Sequence, residues 1–333
     1  MMEVDQQLRA LLQGELIEDS PLFVDFPIEN AESFKPITKR TVCYIVVGLV
    51  FDEKGRVLLM QEAKQSCYGK WYLPAGRMEL NETIEEAVYR EVLEETGLKI
   101  STTTLLCVEA GSSSWFRFTL AGKVTGGSLK ETPDQESLSA KWCTLEEINF
   151  GTAAGLTLRA NDIKPLIDLG LEFFKADRQD RHTDILPICV PHKFLFIRLV
   201  ILYCDKSRGD ILVITRQGDN SHFPIGHISH KDKSMLGILG HTKYLKQVTV
   251  LTIEHRGKPI AENDGFCMTL LVTMETENKD SHGKTKEEIP TGTIPEILND
   301  DYIWHKIVDD KIRKRFDNKL KLERPISIPM IFL

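Results

Sequence analysis

Length, composition and charge exclude several classes of protein. The chain has 333 residues, of which 42% are apolar and 27% charged, so it is long enough for two domains and too apolar to be wholly disordered. Its net charge of -7 gives no general attraction for nucleic acid or an anionic membrane. An acidic protein that acts on an anionic substrate needs a local positive charge, and a divalent cation is the obvious source.

The N-terminus, the hydropathy and the cysteines indicate the compartment. The longest uncharged apolar run, Tyr44 to Phe51, is too short to cross a bilayer as a helix, and the acidic start of the chain does not resemble a secretory signal. The seven cysteines are widely spaced and include no C-x-x-C pair, which favours a reducing compartment. We therefore expect a cytoplasmic protein with a small-molecule partner, without nucleic-acid or membrane partners; its oligomeric state is left open.

The first half of the chain has the pattern of a mixed α/β domain. Buried strand runs, turns and helix-forming stretches alternate along it, after an extended connector that contains three prolines. The predicted elements are a helix at 6–17, a connector at 20–39, strands at 41–51 and 56–61, a helix at 79–96 ending at Gly97, a strand at 115–121 and a helix at 156–175.

A charged, polar segment separates the two halves. Five of the nine residues at 176–184 are charged and none is a large apolar residue, which is typical of a linker. A second α/β pattern follows, with strands predicted at 193–204, 210–216 and 266–275. The predicted parts are an N-terminal helix and connector (1–37), a first α/β domain (38–176), a linker (177–184) and a C-terminal α/β domain (185–333).

One acidic stretch carries the chemistry. On a helix, Glu91, Glu94 and Glu95 fall within an arc of about 100° on one face. Three like charges so close together repel one another, and oxygen-binding cations such as Mg²⁺ or Mn²⁺ would make the cluster favourable. Arg90 is adjacent and could orient one carboxylate. A solvated acidic helix face is the alternative interpretation.

The spacing of these residues resembles a known family signature. From Gly76 to Leu98 the chain matches G-x5-E-x7-R-E-U-x-E-E-x-G-U, where U is a bulky aliphatic residue, at every specified position. This is the signature of the Nudix hydrolases, which cleave a nucleoside diphosphate linked to another group. The resemblance implies an α/β/α sandwich with a mixed sheet and a divalent metal, Mg²⁺ or Mn²⁺. It implies as metal ligands the Ala75 carbonyl, Glu91, Glu94 and Glu95, and as catalytic residues Glu91, Glu94 and Arg90.

The substrate class follows from a finer resemblance. The segments VLLMQEAK (57–64), WYLPAGRM (71–78) and WFRF (115–118) are similar to Nudix members that hydrolyse 8-oxo-dGDP. That similarity implies metal-dependent hydrolysis of oxidised purine nucleoside diphosphates to monophosphate and phosphate, and substrate contact by Leu58 and Phe118. Packing in the core is the alternative for these two residues, because apolar residues at strand spacing usually lie there. The alternatives for function are hydrolysis of a nucleotide sugar or dinucleotide, and a non-catalytic binding module.

The second half repeats part of the first. FPIGHISHKDKSMLGIL (223–239) aligns with LPAGRMELNETIEEAV (73–88), which places Pro224 on Pro74 and Gly226 on Gly76. The positions aligned with Glu91, Glu94 and Glu95 are His241, Tyr244 and Leu245. The hypothesis is a degenerate Nudix-like copy without a metal site; an unrelated α/β domain is the alternative.

Overall fold

The computed structural model describes residues 3–17, 24–26, 34–112, 114–177, 181–205, 208–218, 221–228, 245–274, 277–279, 285–288, 294–297, 299–321 and 328–332. The helices are α1 (Val4–Leu12), α2 (Ile84–Thr96), α3 (Leu145–Phe150), α4 (Ile163–Lys175) and α5 (Asp310–Lys321). The strands of the first half are β1 (Cys43–Val50), β2 (Val57–Glu62), β3 (Trp71–Tyr72), β4 (Ala75–Arg77), β5 (Leu98–Ser112), β6 (Trp115–Gly127) and β7 (Ser137–Cys143). The later strands are β8 (Leu195–Asp205), β9 (Asp210–Arg216), β10 (Ile225–His227), β11 (Leu245–His255), β12 (Phe266–Met274), β13 (Glu277–Lys279), β14 (Thr285–Glu288), β15 (Tyr302–Lys306) and β16 (Met330–Phe332).

The larger sheet of the first half has a helix on each face. Its strands run in the order β16-β5-β6-β1-β4, with β1 parallel to β6 and antiparallel to β4. A Cβ at Gly48 on β1 would lie 2.5 Å from Val92 Cγ2 on α2, so glycine lets this helix approach the sheet. The next residue, Leu49, points to the opposite face, where Gly170 of α4 packs against it. The predicted α/β/α sandwich with a mixed sheet is therefore confirmed.

Two predicted helices begin later than the sequence pattern indicated. Residues 79–83 form a loop in which Asn81 has a φ of 62°, so the helix expected from residue 79 begins at Ile84. Residues 157–159 pair instead with β3, where the Trp71 N–H donates to Thr157 O at 2.8 Å and the Arg159 N–H donates to Trp71 O at 2.9 Å. The last helix of the first half therefore begins at Ile163.

The second half repeats the strand connectivity of the first. Its sheet contains the series β10-β8-β12-β11, with β8 parallel to β12 and antiparallel to β10, as in β4-β1-β6-β5. Gly48 N–H donates to Pro74 O at 2.9 Å, and Leu199 N–H donates to Pro224 O at 2.8 Å. This correspondence supports a second, Nudix-like α/β unit. Of the positions aligned with the acidic cluster, His241 and Tyr244 lie outside the described residues.

The two halves share a core, and each end of the chain packs on the half that is distant from it in sequence. Tyr44 contacts Phe118 and Phe266, and the rings of Phe116 and Phe266 meet edge to face at 4.9 Å. Helix α1 packs with the core of the second sheet, whereas β16 pairs with β5 of the first. The partition at 37/38, 176/177 and 184/185 stays a prediction, and the packing adds that both ends of the chain contact the half distant in sequence.

Within the described ranges, no helix is both long enough and apolar enough to cross a bilayer.

Candidate active site

Local sequence defines both ends of helix α2. Thr83 and Glu86 form a reciprocal capping box, in which the Glu86 N–H donates to Thr83 Oγ1 at 3.2 Å and the Thr83 N–H donates to Glu86 Oε2 at 2.8 Å. Gly97 follows the helix with a φ of 76°, and a Cβ there would lie 2.3 Å from Ser128 O. The helix therefore presents its carboxylates at defined positions.

Two of these carboxylates meet the glycine turn, by which we mean residues 73–76, where the chain bends at Pro74 and enters β4 at Ala75 and Gly76. A Cβ on Gly76 would lie 2.1 Å from Glu91 Oε1, so the carboxylate occupies the space that any other residue would need. The Ala75 N–H donates to Glu95 Oε2 at 2.8 Å. Glu91 and Glu95 are 7% and 2% exposed, so both acidic groups are largely withdrawn from water.

In the second half, an aromatic side chain packs beside Gly226, the residue aligned with Gly76. The position of a Cβ on Gly226 lies 3.2 Å from Phe26 Cβ, and Phe26 forms a β-bridge with Gly226. The preceding residue, Asp25, accepts hydrogen bonds from the Ile225 N–H and from Arg216 at 2.9 and 2.6 Å. An aromatic side chain from the N-terminal connector thus lies where the first half has the carboxylate of Glu91.

Arg90 connects the acidic residues. Its Nε and Nη2 donate to the two oxygens of Glu82 at 2.6 and 3.0 Å, a bidentate pair of the kind that fixes orientation. Its Nη1 donates to Glu91 Oε1 at 2.8 Å and Glu94 Oε2 at 3.1 Å. Arg90 also donates to Arg77 O at 3.1 Å, so one side chain ties helix α2 to the glycine turn.

Burial and like charge perturb the acidic groups. Burial raises the pKa of Glu91, although the hydrogen bond from Arg90 opposes this. Burial also raises the pKa of Glu95 well above its usual range; the Ala75 N–H opposes this, and the charges of Glu91 and Glu62 add to it. At Glu82 burial is outweighed by the hydrogen bonds from Arg90, which lower its pKa. A cation beside Glu91 and Glu95 would therefore relieve a real electrostatic cost.

The predicted ligand set is only partly assembled. In the part of the chain that the structure describes, no group of three or more His, Cys, Asp or Glu side chains is arranged to hold a metal ion. Glu91 and Glu95 converge on Ala75, but the side chain of Glu94 is 43% exposed and bound to Arg90. The structure thus brings Glu91 and Glu95 together at Ala75 and Gly76 and leaves Glu94 to one side.

The donors nevertheless fit a hard divalent cation. They are carboxylate oxygens gathered against Gly76, which has no side chain, and oxygen ligands are those that Mg²⁺ and Mn²⁺ prefer. Glu62 on β2 is buried beside them; its Oε1 accepts from Arg159 at 2.7 Å, while its Oε2 has no hydrogen-bond partner among the described residues. Sequence reasoning missed Glu62, because it lies outside the signature.

Leu58 and Phe118 lie in the core. They are 0% and 1% exposed, and Phe118 packs against Tyr44 and Phe266 between the two sheets. A nucleotide base could contact either residue only if this core opened. Their burial therefore gives no support to the predicted substrate contact.

A polar cluster lies on the other face of the same sheet. Arg117 alternates with Phe116 and Phe118 along β6 and so points away from the shared core. Its Nη1 donates to Asp162 Oδ2 at 2.6 Å and to the Tyr72 hydroxyl at 3.1 Å, and the Tyr72 hydroxyl donates to Asp162 Oδ2 at 2.7 Å. The signal for this cluster was a charged residue within the alternating WFRF strand.

Arg117 and Arg77 lie on one face of the sheet, opposite the face on which Gly76 meets helix α2. Ile45 on β1 is half-buried and pairs with Arg77 on one side and Arg117 on the other, so the two arginines are separated by two strand spacings, about 10 Å. A cavity of about 280 Å³ lies at the start of β1. Its lining includes Lys39, Arg40, Arg77 and Trp115.

Comparison with known proteins places the chain in a family. A model of the NUDIX domain matches residues 42–166. The 8-oxo-dGDP phosphatase NUDT18 of Danio rerio is 31% identical over 338 residues, covering 96% of this chain and 95% of that protein, and the protein of the same name from Homo sapiens is 33% identical over 85% of each chain. A crystal structure of an ADP-ribose pyrophosphatase from Streptococcus suis is 21% identical, with a TM-score of 0.34, covering 41% of this chain and 96% of that one. Because the likeness to the Danio rerio protein extends over nearly all of both chains, this chain belongs to the Nudix hydrolase family.

Proposed function

We propose that this protein hydrolyses oxidised purine nucleoside diphosphates, of the 8-oxo-dGDP and 8-oxo-GDP class, to monophosphate and phosphate. The observation that carries the proposal is the convergence of Glu91 and Glu95 on the Ala75–Gly76 turn. The relatives named 8-oxo-dGDP phosphatase match nearly the full length of the chain, which supports this substrate class over others. The seven widely spaced cysteines, without a C-x-x-C pair, support the cytoplasm, a reducing compartment, as the location.

The proposed ligands of a divalent cation are the Ala75 carbonyl, Glu91, Glu94 and Glu95. When bound, such a cation would neutralise charge on the diphosphate and lower the pKa of a water molecule bound to it. Arg90 orients Glu91 and Glu94 through hydrogen bonds of 2.8 and 3.1 Å, so either carboxylate is placed to accept a proton from the attacking water. Keeping Arg90 bound to Glu82 preserves this arrangement when substrate binds.

The face of the sheet that carries Arg77, Ile45 and Arg117 is the proposed nucleotide site. Arg77 lies beside the glycine turn and can attract the diphosphate, while Arg117 and Asp162 lie about 10 Å away at the other end of the face. That separation suits a nucleoside diphosphate lying across Ile45. An oxidised guanine presents several N–H donors, whose hydrogen bonds the Asp162 carboxylate, 41% exposed, can accept.

The test is a substrate panel with the purified protein. We expect phosphate release from 8-oxo-dGDP and 8-oxo-GDP with Mg²⁺ or Mn²⁺, slower release from dGDP, and none when the metal is chelated. Release of a nucleoside monophosphate from a nucleotide sugar or dinucleotide at a higher kcat/KM would assign the alternative diphosphate chemistry. Binding of these nucleotides without turnover would identify a non-catalytic module.

Asp162→Asn tests the proposed base site. Removing the charged acceptor is expected to lower kcat/KM for 8-oxo-dGDP by roughly 10- to 100-fold, because a hydrogen bond to a charged group contributes about 1.5–3 kcal/mol. Asp168→Asn is the matched control, since Asp168 is exposed on α4, the helix that Asp162 immediately precedes. Equal kcat/KM values for Asp162→Asn and the wild type would exclude Asp162 from base recognition.

A further inference from the structure

A loop of the second half packs on the segment that precedes helix α2. This loop, residues 256–264, joins β11 to β12. Its Ile260 N–H donates to Asn81 Oδ1 at 2.9 Å, and its Lys258 Nζ binds the carboxylate of Glu86 at 2.7 Å. A Cβ on Gly257 would lie 2.2 Å from Glu82 O, so the two backbones approach as closely as glycine allows.

The same loop is internally braced. The Gly257 N–H donates to Asn263 O at 3.0 Å, and Asn263 Nδ2 donates to Lys258 O at 2.7 Å. The Ala261 N–H donates to Oδ1 of Asp264, which is buried. A loop closed in this way resists displacement, because moving one residue breaks hydrogen bonds at the others.

Asp264 anchors this loop to a second part of the first half. Its Oδ2 accepts from the Thr38 N–H at 2.8 Å, and its backbone carbonyl accepts from the Tyr44 hydroxyl at 2.7 Å. Thr38 immediately precedes Lys39 and Arg40, which line the basic cavity. The loop therefore contacts the first half both at this turn and at Asn81–Glu82.

Glu82, which the loop contacts, is connected to the acidic cluster through hydrogen bonds of Arg90. Glu82 accepts two hydrogen bonds from Arg90, at 2.6 and 3.0 Å. Arg90 in turn donates to Glu91 and Glu94. Displacing the backbone at Glu82 would move the acceptor that orients the Arg90 guanidinium, and with it the carboxylates that Arg90 contacts.

We propose that loop 256–264 is a positioning element of the catalytic site, through which the second half determines the position of Glu82 and hence of Arg90. This inference rests on the proposed function for its catalytic consequence. It gives the second half a role that requires no ligand of its own. Lys258 and Gly257 are positioning residues, because they act on the carboxylates only through Glu86 and Glu82.

Gly257→Ala is the sharpest test, because the added Cβ must displace the backbone of Glu82. Gly209→Ala is its matched control: Gly209 has a φ of 67° against 68° for Gly257, but a Cβ there meets nothing within 4 Å. Both variants carry the same backbone strain. In Gly257→Ala we expect faster amide hydrogen exchange in residues 79–83, weaker Mn²⁺ binding by calorimetry and a kcat roughly 10- to 100-fold lower, with the nucleotide KM unchanged.

Lys258→Ala provides a second variant that leaves the backbone in place. Its ion pair with Glu86 is half-exposed, so losing it leaves the protein folded. We expect Lys258→Ala to change exchange, Mn²⁺ affinity and kcat in the same direction as Gly257→Ala but by less. Lys258→Arg, which keeps the positive charge, should behave like the wild type. Lys306→Ala, which removes an ion pair with Asp210 in the second half, is the control. Exchange, Mn²⁺ affinity and kcat that match between Gly257→Ala and Gly209→Ala would overturn the inference. A different outcome separates the two proposals. If the wild type shows no hydrolytic activity, but amide exchange and Mn²⁺ binding change in Gly257→Ala and not in Gly209→Ala, the proposed function is refuted and the positioning contact is retained.

Discussion

Glu95→Gln is expected to lower phosphate release from 8-oxo-dGDP by roughly 10²- to 10⁴-fold, since a metal-bound site supplies several kcal/mol of transition-state stabilisation. Glutamine keeps the shape of the side chain and can still accept the hydrogen bond from the Ala75 N–H. The substitution therefore removes the charge alone. Initial rates of phosphate release at saturating Mg²⁺ measure the effect.

The same variant is expected to stabilise the metal-free protein. Burial and the neighbouring carboxylates raise the pKa of Glu95, so its negative charge is less favourable in the folded chain than in the unfolded chain at neutral pH. Without metal, Glu95→Gln should have the higher Tm; adding Mg²⁺ should raise the Tm of the wild type only. Glu172→Gln, at an exposed position on α4, is the control. If Glu95→Gln releases phosphate at a rate within twofold of the wild type, the assignment of Glu95 as a ligand is contradicted.

Arg117→Met is expected to reduce the free energy of unfolding by about 3–5 kcal/mol, because it leaves a buried carboxylate without its partner. Glu109 accepts from Arg117 Nε and Nη2 at 2.5 and 2.7 Å, and both side chains are buried. Burial opposes the charge of Arg117, but the hydrogen bonds to Glu109 and Asp162 outweigh it and raise its pKa. Urea denaturation followed by circular dichroism measures the loss.

Two further variants separate the ion pair from general packing. Arg56→Met removes a more exposed pair with Asp52 and should cost at most about 1 kcal/mol. Combining Arg117→Met with Glu109→Leu should recover much of the loss, since an apolar pair can replace a buried ion pair. A loss below about 1 kcal/mol for Arg117→Met would show that Glu109 does not depend on this partner.

Helix α2 and its flanking glycines could be predicted closely because their determinants are local. The Gly97 terminus follows from the need for a positive φ, and the carboxylate face follows from helix periodicity. The start of the helix was placed too early because residues 79–83 contain good helix formers, yet Asn81 adopts a left-handed conformation and Thr83 caps the helix. Contacts from Ile260 to Asn81 were not visible in the local pattern.

The substrate face could not be predicted from strand alternation. Alternation separates Phe118 from Arg117 but does not say which of the two faces another layer covers. The second sheet covers the face of Phe118, whereas Ile45, on the face of Arg117, is half-buried. Tyr72 and Asp162 are 90 residues apart in the chain, so no spacing rule connects them.

Short-range patterns were therefore enough for the α/β class, the helix with its acidic face and the glycine turn opposite it, since each depends on neighbouring residues and on backbone conformation. Contacts between distant segments decided the rest. They buried Phe118 against Phe266 of the second sheet and brought loop 256–264 against Glu82. Such contacts depend on which surfaces remain uncovered once both halves have packed, and that is a property of the whole fold.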